Sequence, residues 1–375
     1  MYCKVEPKKP EEINRCNIVQ QTAFWADVKK QQGIKPVAFD YAATDDMLHP
    51  GWPTDHHTTG DLLVLLRQID HEHCVAYIPY GPTDEPEFEN QGRFLEELSE
   101  VLRPKLPSNC IMIRYDLPWE SQWAEEEDYF DDAGNWLGAP ESTSQEFRVN
   151  FNTHNWNLHK SMTNNLPVNT IFLNLKHDHK TLLQNMKPKT RYNIGLSARR
   201  GVSVNSYGPE QLDIWYALYR ETALRNGVTL HSKEYFFSVL INQHQYNSDN
   251  VDVRLLMADH EGEFLAAMFL VVSNKRATYL YGASSDRKRN LMATYAIQWE
   301  AIRLAGEAGC EEYDMFGVAP NGYQSHPMHG LYRFKSGFGG NMFHRMGCWD
   351  YPLNKAKYDL FLAQEANGQK YHVLQ

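Results

Sequence analysis

One order of predicted secondary structure occurs twice along this chain, and it constrains the fold more than any other feature. In each half, helices precede short apolar strands, which are followed by an amphipathic helix and one further strand. The 375 residues are enough for two domains of about 100–200 residues each. The repeated order therefore predicts a duplicated α/β unit, although the halves share no residue-level repeat.

Each half contains a clear hairpin pattern. In the first half, apolar residues 62–67 and 74–79 are separated by the charged segment 68–72, which is typical of antiparallel strands joined by a turn. In the second half, the turn His260-Glu261-Gly262 has the same role. The other predicted segments are helices at 22–32, 94–102, 179–186, 189–200, 210–225, 233–241 and 292–308, and strands at 110–115, 168–175, 253–258, 264–272, 277–281 and 312–316.

The stretch between the halves, residues 119–165, differs from both. It is rich in Asp, Glu, Asn, Trp and Ser, contains six carboxylates between Glu125 and Asp132, and shows no sustained period. Long segments without regular structure are usually functional surface loops or linkers. We interpret this acidic stretch as a surface excursion or linker, with a substrate lid as one role.

No segment of the sequence predicts export or membrane insertion. Residues 1–16 lack the apolar run of about 7–15 residues that a secretory signal requires. No segment approaches the roughly 18 apolar residues of a membrane span. The cysteines show no CxxC or matched spacing, so we expect reduced thiols and a cytoplasmic protein. They are Cys3, Cys16, Cys74, Cys110, Cys310 and Cys348.

The charge distribution is uneven. A net charge of −10 excludes a protein that coats nucleic acid, because its overall field repels phosphates. Residues 187–200 nevertheless carry five fixed positive charges, and no Asp or Glu occurs from residue 179 to residue 209. Lys and Arg are the usual partners of phosphate oxygens, so this segment predicts a phosphate or RNA-backbone contact. The alternative is a solvated helix face paired with the acidic stretch.

A second candidate lies at residues 332–340, YRFKSGFGG, where Lys335 is set between two phenylalanines. A lysine in an apolar niche loses hydration, so its ammonium acts strongly on a developing oxyanion. The glycines that follow would let the backbone approach a ligand closely. The alternative is a tight turn leading into a strand at residues 341–347.

Residues 279–298 predict a strand, a polar turn and a helix, where an acetyl-CoA-dependent acyltransferase has its pyrophosphate loop. That loop needs glycine or alanine so that amides at the helix start face phosphate. Asn290, Leu291 and Met292 occupy the turn instead, which disfavours coenzyme A binding.

Other chemical signals are weaker. Arg114 and Asp116 lie at a strand end, where they either meet a ligand or form a surface ion pair. No GxSxG, P-loop or GxGxxG motif supports a hydrolase, NTPase or dinucleotide enzyme. The histidine pairs lack the further ligands of a metal site, so no metal is expected. They are His56-His57, His71-x-His73 and His177-x-His179.

Taken in order, eight segments resemble the Fem family, transferases that move an aminoacyl group from tRNA to the peptide stem of a cell-wall precursor. Each segment alone is common, but the ordered set is specific and spans most of the chain. The segments are FWADVKK (24–30), YIPYGP (77–82), IRYDLP (113–118), residues 167–175, KPKTRYNIGLSARRG (187–201), residues 225–236, YLYGA (279–283) and FKSGFGG (334–340).

The resemblance implies a fold and its boundaries. It implies an α/β protein of two tandem acetyltransferase-like domains with mixed, mostly antiparallel sheets flanked by helices. Residues 1–165 would form the first domain, to which residues 349–375 return, and residues 166–348 would form the second.

The resemblance also implies substrate contacts. Lys29 resembles the lysine that contacts the phosphates of the precursor. His231 falls where the family often has an arginine in the same role, and Arg225 is a substitute for it. Tyr281 and Asp116 match positions that line the peptide stem.

Phe334 and Lys335 match the pair at the transfer site of the family. The mechanism implied is aminolysis, in which an amine of the precursor attacks the ester of a charged tRNA and Lys335 stabilises the oxyanion. Asp116 is the candidate proton acceptor. The expected tRNA contacts are Lys187, Lys189, Arg191, Arg199 and Arg200.

The expected partners are aminoacyl-tRNA and a precursor that is either UDP-linked or lipid-linked. No cofactor is expected, the protein is predicted to be a monomer, and it would associate at most peripherally with the inner membrane face. Two alternatives remain open, an acyl-CoA-dependent N-acyltransferase of the same fold and a non-catalytic precursor-binding module.

Overall fold

The chain forms two units, each with its own sheet. The computed structural model describes residues 3–49, 51, 56–227, 229–242 and 251–367. Among these, the first unit takes its residues from 1–14, 20–168 and 344–375, and the second from 15–19 and 169–343.

The bounds of the regular elements are as follows. The strands are β1 (Cys3–Lys8), β2 (Lys35–Thr44), β3 (His57–Gln68), β4 (Cys74–Pro79), β5 (Cys110–Glu120), β6 (His159–Lys160), β7 (Asn169–Asn174), β8 (Ser203–Tyr207), β9 (Asp252–His260), β10 (Glu263–Ser273), β11 (Arg276–Ser284), β12 (Glu312–Asp314) and β13 (Asn341–Pro352). The helices are α1 (Ala23–Gln31), α2 (Asp45–Leu48), α3 (Phe88–Leu102), α4 (Ser142–Asn150), α5 (His179–Asn185), α6 (Pro188–Arg199), α7 (Leu212–Asn226), α8 (Lys233–Ile241), α9 (Ala293–Glu307), α10 (His329–Lys335) and α11 (Lys355–Asn367).

The sheet of the first unit has the order β1-β2-β3-β4-β5-β13. Strands β4 and β5 pair in parallel around the crossover helix α3, and the other neighbours are antiparallel. Phe94 and Leu98 of α3 pack in the main core with Ile113 and Tyr115 of β5. Tyr358 of α11 packs in a separate small cluster, so helices cover the sheet through two groups of apolar side chains.

The sheet of the second unit has the order β7-β12-β11-β10-β9-β8. Strands β11 and β12 pair in parallel, with α9 between them, and the other neighbours are antiparallel. Both units therefore contain antiparallel strands followed by a helix and a parallel strand. The predicted fold class, α/β with mixed and mostly antiparallel sheets flanked by helices, is confirmed.

A bulge in β11 sets the direction of two tyrosines. Phe269 pairs with Tyr281, whereas its neighbour Leu270 pairs with Tyr279, so the register shifts at the intervening residue. Because adjacent residues of a strand point to opposite faces, the two tyrosines face opposite sides of the sheet. Tyr279 packs against the core that contains α9, and Tyr281 faces Phe236 of α8.

The interpretation of residues 119–165 as an open excursion or linker is wrong. Residues 119 and 120 belong to β5, and α4 and β6 follow within the same stretch. Trp119, Trp123 and Trp136 are buried, and Trp136 packs in a tilted arrangement against His344 with 3.9 Å between ring centroids. These indole rings pack within the first unit, so the acidic residues of this stretch belong to an ordered part of that unit.

The described part of the chain has no helix long and apolar enough to cross a lipid bilayer. No disulfide joins the cysteines there, and five of the six are buried.

Candidate active site

Lys335 is a buried lysine at the last position of α10, with 4% of its surface exposed. Its Nζ donates hydrogen bonds to the backbone carbonyls of Met315, Phe316 and Gly317, at 2.6, 3.2 and 2.7 Å. We call these three carbonyls the carbonyl cradle. An ammonium has three donors, so the cradle engages all of them.

The cradle is formed by a strained turn directly after β12. Phe316 has a φ of 58°, in the left-handed region that costs a bulky residue free energy. The Asp314 carboxylate accepts a hydrogen bond from the amide of Phe316 at 2.7 Å and another from the Thr170 hydroxyl. Asp314 therefore holds the backbone in the conformation that directs successive carbonyls at Lys335.

The surroundings of Lys335 shift its protonation. Burial lowers the pKa of Lys335 to about 7, and the negative charge of Asp314 opposes this shift. The Nζ also lies 5.0 Å from the centroid of the Tyr279 ring, within cation–π range. Lys335 thus changes charge near neutral pH, where an ordinary lysine does not.

Phe334 lies beside Lys335 in an aromatic cluster. Its ring centroid is 5.1 Å from that of Tyr295 and 5.3 Å from that of Phe338. The predicted apolar niche is present, but Lys335 reaches out of it to polar carbonyls. The segment is the end of α10 followed by a 3-10 turn that leads into β13, so the predicted turn and the strand after it are both present.

His231 and Tyr281 lie together on the face of the second unit's sheet that is opposite to Tyr279. His231 stacks on Tyr235 with 4.6 Å between centroids, and the hydroxyls of Tyr235 and Tyr281 are 2.5 Å apart. Arg225 donates to the carbonyl and hydroxyl of Ser284 at 3.1 Å and pairs with Asp286 at 3.2 Å. The guanidinium of Arg225 is therefore already engaged with the end of β11.

In the first unit, Lys29 lies in the last turn of α1. Its Nζ donates to Gln32 at 3.2 Å and lies 4.7 Å from the centroid of the Trp25 ring. Burial and the nearby charge of Arg67 lower the pKa of Lys29 to about 8. Two neighbouring cations with little hydration favour an anionic ligand such as phosphate.

Asp116 in β5 is fully buried. Its Oδ2 accepts hydrogen bonds from the Tyr77 hydroxyl at 2.9 Å and the Leu166 amide at 3.0 Å. Burial raises the pKa of Asp116 to about 6, which suits a group that accepts a proton near neutral pH.

Arg114 is buried and, among the described residues, its ion pairs are to residues other than Asp116, so the interpretation as an Arg114–Asp116 surface ion pair is wrong. Its guanidinium binds the Asp350 carboxylate at 2.7 and 2.8 Å and that of Glu365 at 2.7 and 3.0 Å. Asp350 is fully buried and Glu365 belongs to α11. Arg114 therefore fastens the last helix of the described chain to the first unit.

The predicted basic helix is α6, and the five cations that lie in it or directly at its two ends are exposed but not equivalent. Arg191 donates to the carbonyls of Gln184 at 3.0 Å and Met186 at 2.5 Å, at the end of α5. Arg200 donates to the carbonyl of Asn290. Lys187 donates to Ser336, whereas Lys189 and Arg199 point to solvent without an ion pair among the described residues.

The turn between β11 and α9 is built without glycine. Lys288 and Met292 adopt left-handed conformations, with φ of 47° and 60°. Within the described ranges, no group of three or more His, Cys, Asp or Glu side chains is arranged to hold a metal ion.

Sequence reasoning missed Asp314, Tyr279, Arg67 and Tyr192. An acid at a strand end before a short turn was a visible signal for Asp314. The direction of Tyr279 depends on the bulge, and the proximity of Arg67 to Lys29 depends on tertiary packing, so neither had a local signal.

A family model described as the FemAB family matches residues 14–259 and 240–365 of the chain. The lipid II:glycine glycyltransferase of Staphylococcus haemolyticus strain JCSC1435 is 33% identical over 110 residues, which are 29% of this chain and 26% of that protein. Aminoacyltransferase FemB of Staphylococcus epidermidis strain RP62A is 23% identical over 237 residues, 48% of this chain and 57% of FemB. The matches thus span between a quarter and three-fifths of these curated relatives.

Among solved structures, the crystal structure of FemX has a TM-score of 0.69 with this chain. The two are 18% identical, and the alignment covers 94% of this chain and 96% of FemX. At this identity the likeness shows a shared fold.

Proposed function

Because the chain belongs to the FemAB family, as its ordered motifs predicted, we propose that it transfers an aminoacyl group from aminoacyl-tRNA to an amine on the peptide stem of a peptidoglycan precursor. The names of the relatives, a lipid II:glycine glycyltransferase and FemB, motivate this reaction class. The observation that carries the proposal is Lys335, a buried ammonium held by neutral carbonyls beside an aromatic cluster.

The reaction is aminolysis of an ester. The amine nitrogen of the precursor forms a bond to the ester carbonyl carbon, and the bond to the ribose oxygen breaks. The amine loses one proton and the ribose oxygen gains one, so atoms and charges balance. Since the ester is already activated, the step proceeds without a covalent enzyme intermediate.

Lys335 stabilises the negative charge that develops on the carbonyl oxygen. In the structure its three donors bind the carbonyl cradle, so an oxyanion replaces one carbonyl as acceptor. Because the site is buried, a charge there acts more strongly than it would in water. The Tyr279 ring, 5.0 Å from the Nζ, covers one side of the ammonium, and Phe334 is proposed to contact the substrate at the transfer site.

Asp116 is proposed as the proton acceptor. Its raised pKa of about 6 lies closer to neutral pH than that of an exposed carboxylate. Full burial means that the proton passes through a neighbour, and the Tyr77 hydroxyl at 2.9 Å is the bonded candidate.

The proposed precursor contacts divide by chemistry. Lys29, next to Arg67, is suited to the phosphates of a UDP-linked or lipid-linked precursor. His231 and Tyr281 offer aromatic faces to the peptide stem. Arg225 contributes a phosphate contact only if its hydrogen bonds to Ser284 are replaced by hydrogen bonds to the phosphate.

The remaining proposals concern organisation. We propose that residues 1–165 with 349–375 form one acetyltransferase-like domain and residues 166–348 the other; residues 368–375 lie outside the described residues. The proposed setting is the cytoplasm, with a monomer that meets its precursor at the inner membrane face. The cations of α6, which are Lys187, Lys189, Arg191, Arg199 and Arg200, are the proposed tRNA contacts.

The test is transfer by the purified protein. A mixture of charged tRNAs is supplied with either the UDP-linked or the lipid-linked precursor, and the products are weighed by mass spectrometry. The expected product is the precursor plus one or more aminoacyl residues, and free amino acids with uncharged tRNA serve as the control. A product formed only with acetyl-CoA, or no product with any charged tRNA, would contradict the proposal.

A further inference from the structure

Helix α6 packs Ile194 against the core but also buries three polar residues and exposes an aromatic one, which is unusual for a surface helix. Thr190, Asn193 and Ser197 are at most 4% exposed, whereas Tyr192 is 60% exposed. We propose that the outer face of α6 binds single-stranded RNA, with one base stacked on the ring of Tyr192. This inference rests on the proposed function and identifies how that function would hold the 3′ end of its tRNA.

The outer face is a stripe defined by helical spacing. Lys189, Tyr192 and Arg199 follow one another at steps of three and seven residues, which place them on one side of a helix. The guanidinium carbon of Arg199 lies 5.8 Å from the centroid of the Tyr192 ring. The stripe covers about 15 Å at 1.5 Å per residue, a length suited to a few unpaired nucleotides.

The charge of the stripe matches a phosphate backbone. No acidic residue occurs from residue 179 to residue 209, and Lys189 and Arg199 point to solvent. The bond from Arg200 to the carbonyl of Asn290 joins α6 to a second cationic segment, Arg287–Arg289. The cations of this second segment are paired with Glu263 and Asp286, so the cations of the two segments that have no ion pair among the described residues are those of α6.

The position of α6 links the stripe to Lys335. The amide of Lys187 donates to the carbonyl of Gly337 at 2.9 Å, and its Nζ donates to Ser336 at 3.2 Å. A side chain at Gly337 would place its Cβ 2.3 Å from the hydroxyl of Thr190, so the helix and the segment after Lys335 approach closely. An RNA end that reaches Lys335 therefore leaves across α6.

The exposed ring of Tyr192 favours RNA over other anionic partners. Base stacking on tyrosine tolerates any sequence and suits the unpaired end of a tRNA. A membrane surface would also attract the cations, but interfacial anchoring uses belts of several aromatic residues. The stripe contains one aromatic ring between cations, which favours RNA.

The test measures binding of an uncharged RNA minihelix with an unpaired 3′ extension and of the same hairpin without the extension, by fluorescence anisotropy. Tyr192→Ala should weaken binding of the extended RNA about tenfold and leave the blunt hairpin unchanged, whereas Tyr192→Phe should bind like the wild type. Phe237→Ala, at a residue 46% exposed on α8, is the matched control and should change neither affinity. Because Tyr192 is exposed, each variant should retain the wild-type melting temperature.

Salt dependence separates stacking from phosphate contact. Lys189→Gln and Arg199→Gln should each reduce the slope of log affinity against log salt by about one, and Tyr192→Ala should not. Equal affinity of Tyr192→Ala and wild type for the extended RNA would overturn the inference. Equal affinity of the wild type for the extended and the blunt RNA would also overturn it. So would binding of the wild type to vesicles of anionic phospholipid but to no RNA.

The same variants distinguish this inference from the proposed function. Transfer from charged tRNA by the wild type, together with unchanged RNA binding by Tyr192→Ala, would overturn the stacking role alone. Absence of transfer, together with binding of the extended RNA that depends on Tyr192, would overturn the reaction and support the stacking role.

Discussion

Two buried cations, Arg114 in the first unit and Lys335 in the second, differ in the chemistry of their partners. Arg114 is bound by the carboxylates of Asp350 and Glu365, which raise its pKa further although burial opposes the shift. Within the described ranges, Lys335 is hydrogen-bonded to three neutral carbonyls, and burial lowers its pKa to about 7.

The difference teaches how to separate a structural cation from a reactive one. Two carboxylates engage four of the five N–H donors of the Arg114 guanidinium and neutralise its charge, which leaves little capacity for a substrate. An ammonium held by neutral carbonyls has no bonded counter-charge to neutralise it, and a developing oxyanion is a better partner for its protonated form than any carbonyl. Burial alone does not distinguish the two residues, because each is 4% exposed.

The largest expected effect is on the transfer rate of Lys335→Met. Loss of a buried oxyanion contact should lower kcat by about 10²–10³-fold in a single-turnover assay with radiolabelled aminoacyl-tRNA. Lys180→Met, at an exposed position of α5, is the matched control and should react like the wild type. Full activity of Lys335→Met, with an unchanged melting temperature, would remove Lys335 from the mechanism.

The next effect concerns stability at Arg114. Arg114→Met leaves the buried Asp350 carboxylate without its cation and should cost about 3–5 kcal/mol in urea unfolding. Glu365→Gln keeps the Asp350 pair and should cost less. The transfer rate per folded molecule should not change in either variant, and a selective loss of kcat in Arg114→Met would place Arg114 in the active site.

The third effect is the pH dependence of stability. Between about pH 7 and 10, an unfolded lysine holds its proton whereas buried Lys335 has released it, so the unfolded state binds more protons and stability rises with pH. The wild type should therefore gain up to about 1.4 kcal/mol per pH unit relative to Lys335→Met in this range. The free energy of unfolding of Arg114→Met should change with pH as that of the wild type does, because arginine does not titrate in this range. A constant difference between wild type and Lys335→Met would contradict the low pKa.

Much of the fold was predictable from local patterns. The hairpin at residues 260–262 and the helix at 233–241 match the structure, because a turn signal and helical periodicity act within a few residues. Strands β1, β2 and β8 were missed, since β1 and β8 are largely polar and none of the three has a clear hairpin signal of its own; they become strands by pairing with neighbours. The acidic stretch was misjudged because its buried tryptophans have no regular spacing.

For the candidate site, the sequence predicts the types of residue involved but not the contacts that they make. The motif around Lys335 indicated a dehydrated lysine, but the cradle depends on the left-handed Phe316, which only the folded turn reveals. Arg114 looked like a ligand contact because its carboxylate partners lie more than 200 positions away in the sequence.

The most direct test of the central claim is an NMR titration of Lys335 in the folded protein. With lysines labelled at the side chain, the resonance absent from Lys335→Met is assigned to Lys335 and followed from pH 5 to 11. We expect a midpoint at about 7, because burial removes hydration and the described partners of the ammonium are uncharged carbonyls. A midpoint at about 10 or above, the range of an ordinary lysine, would contradict it.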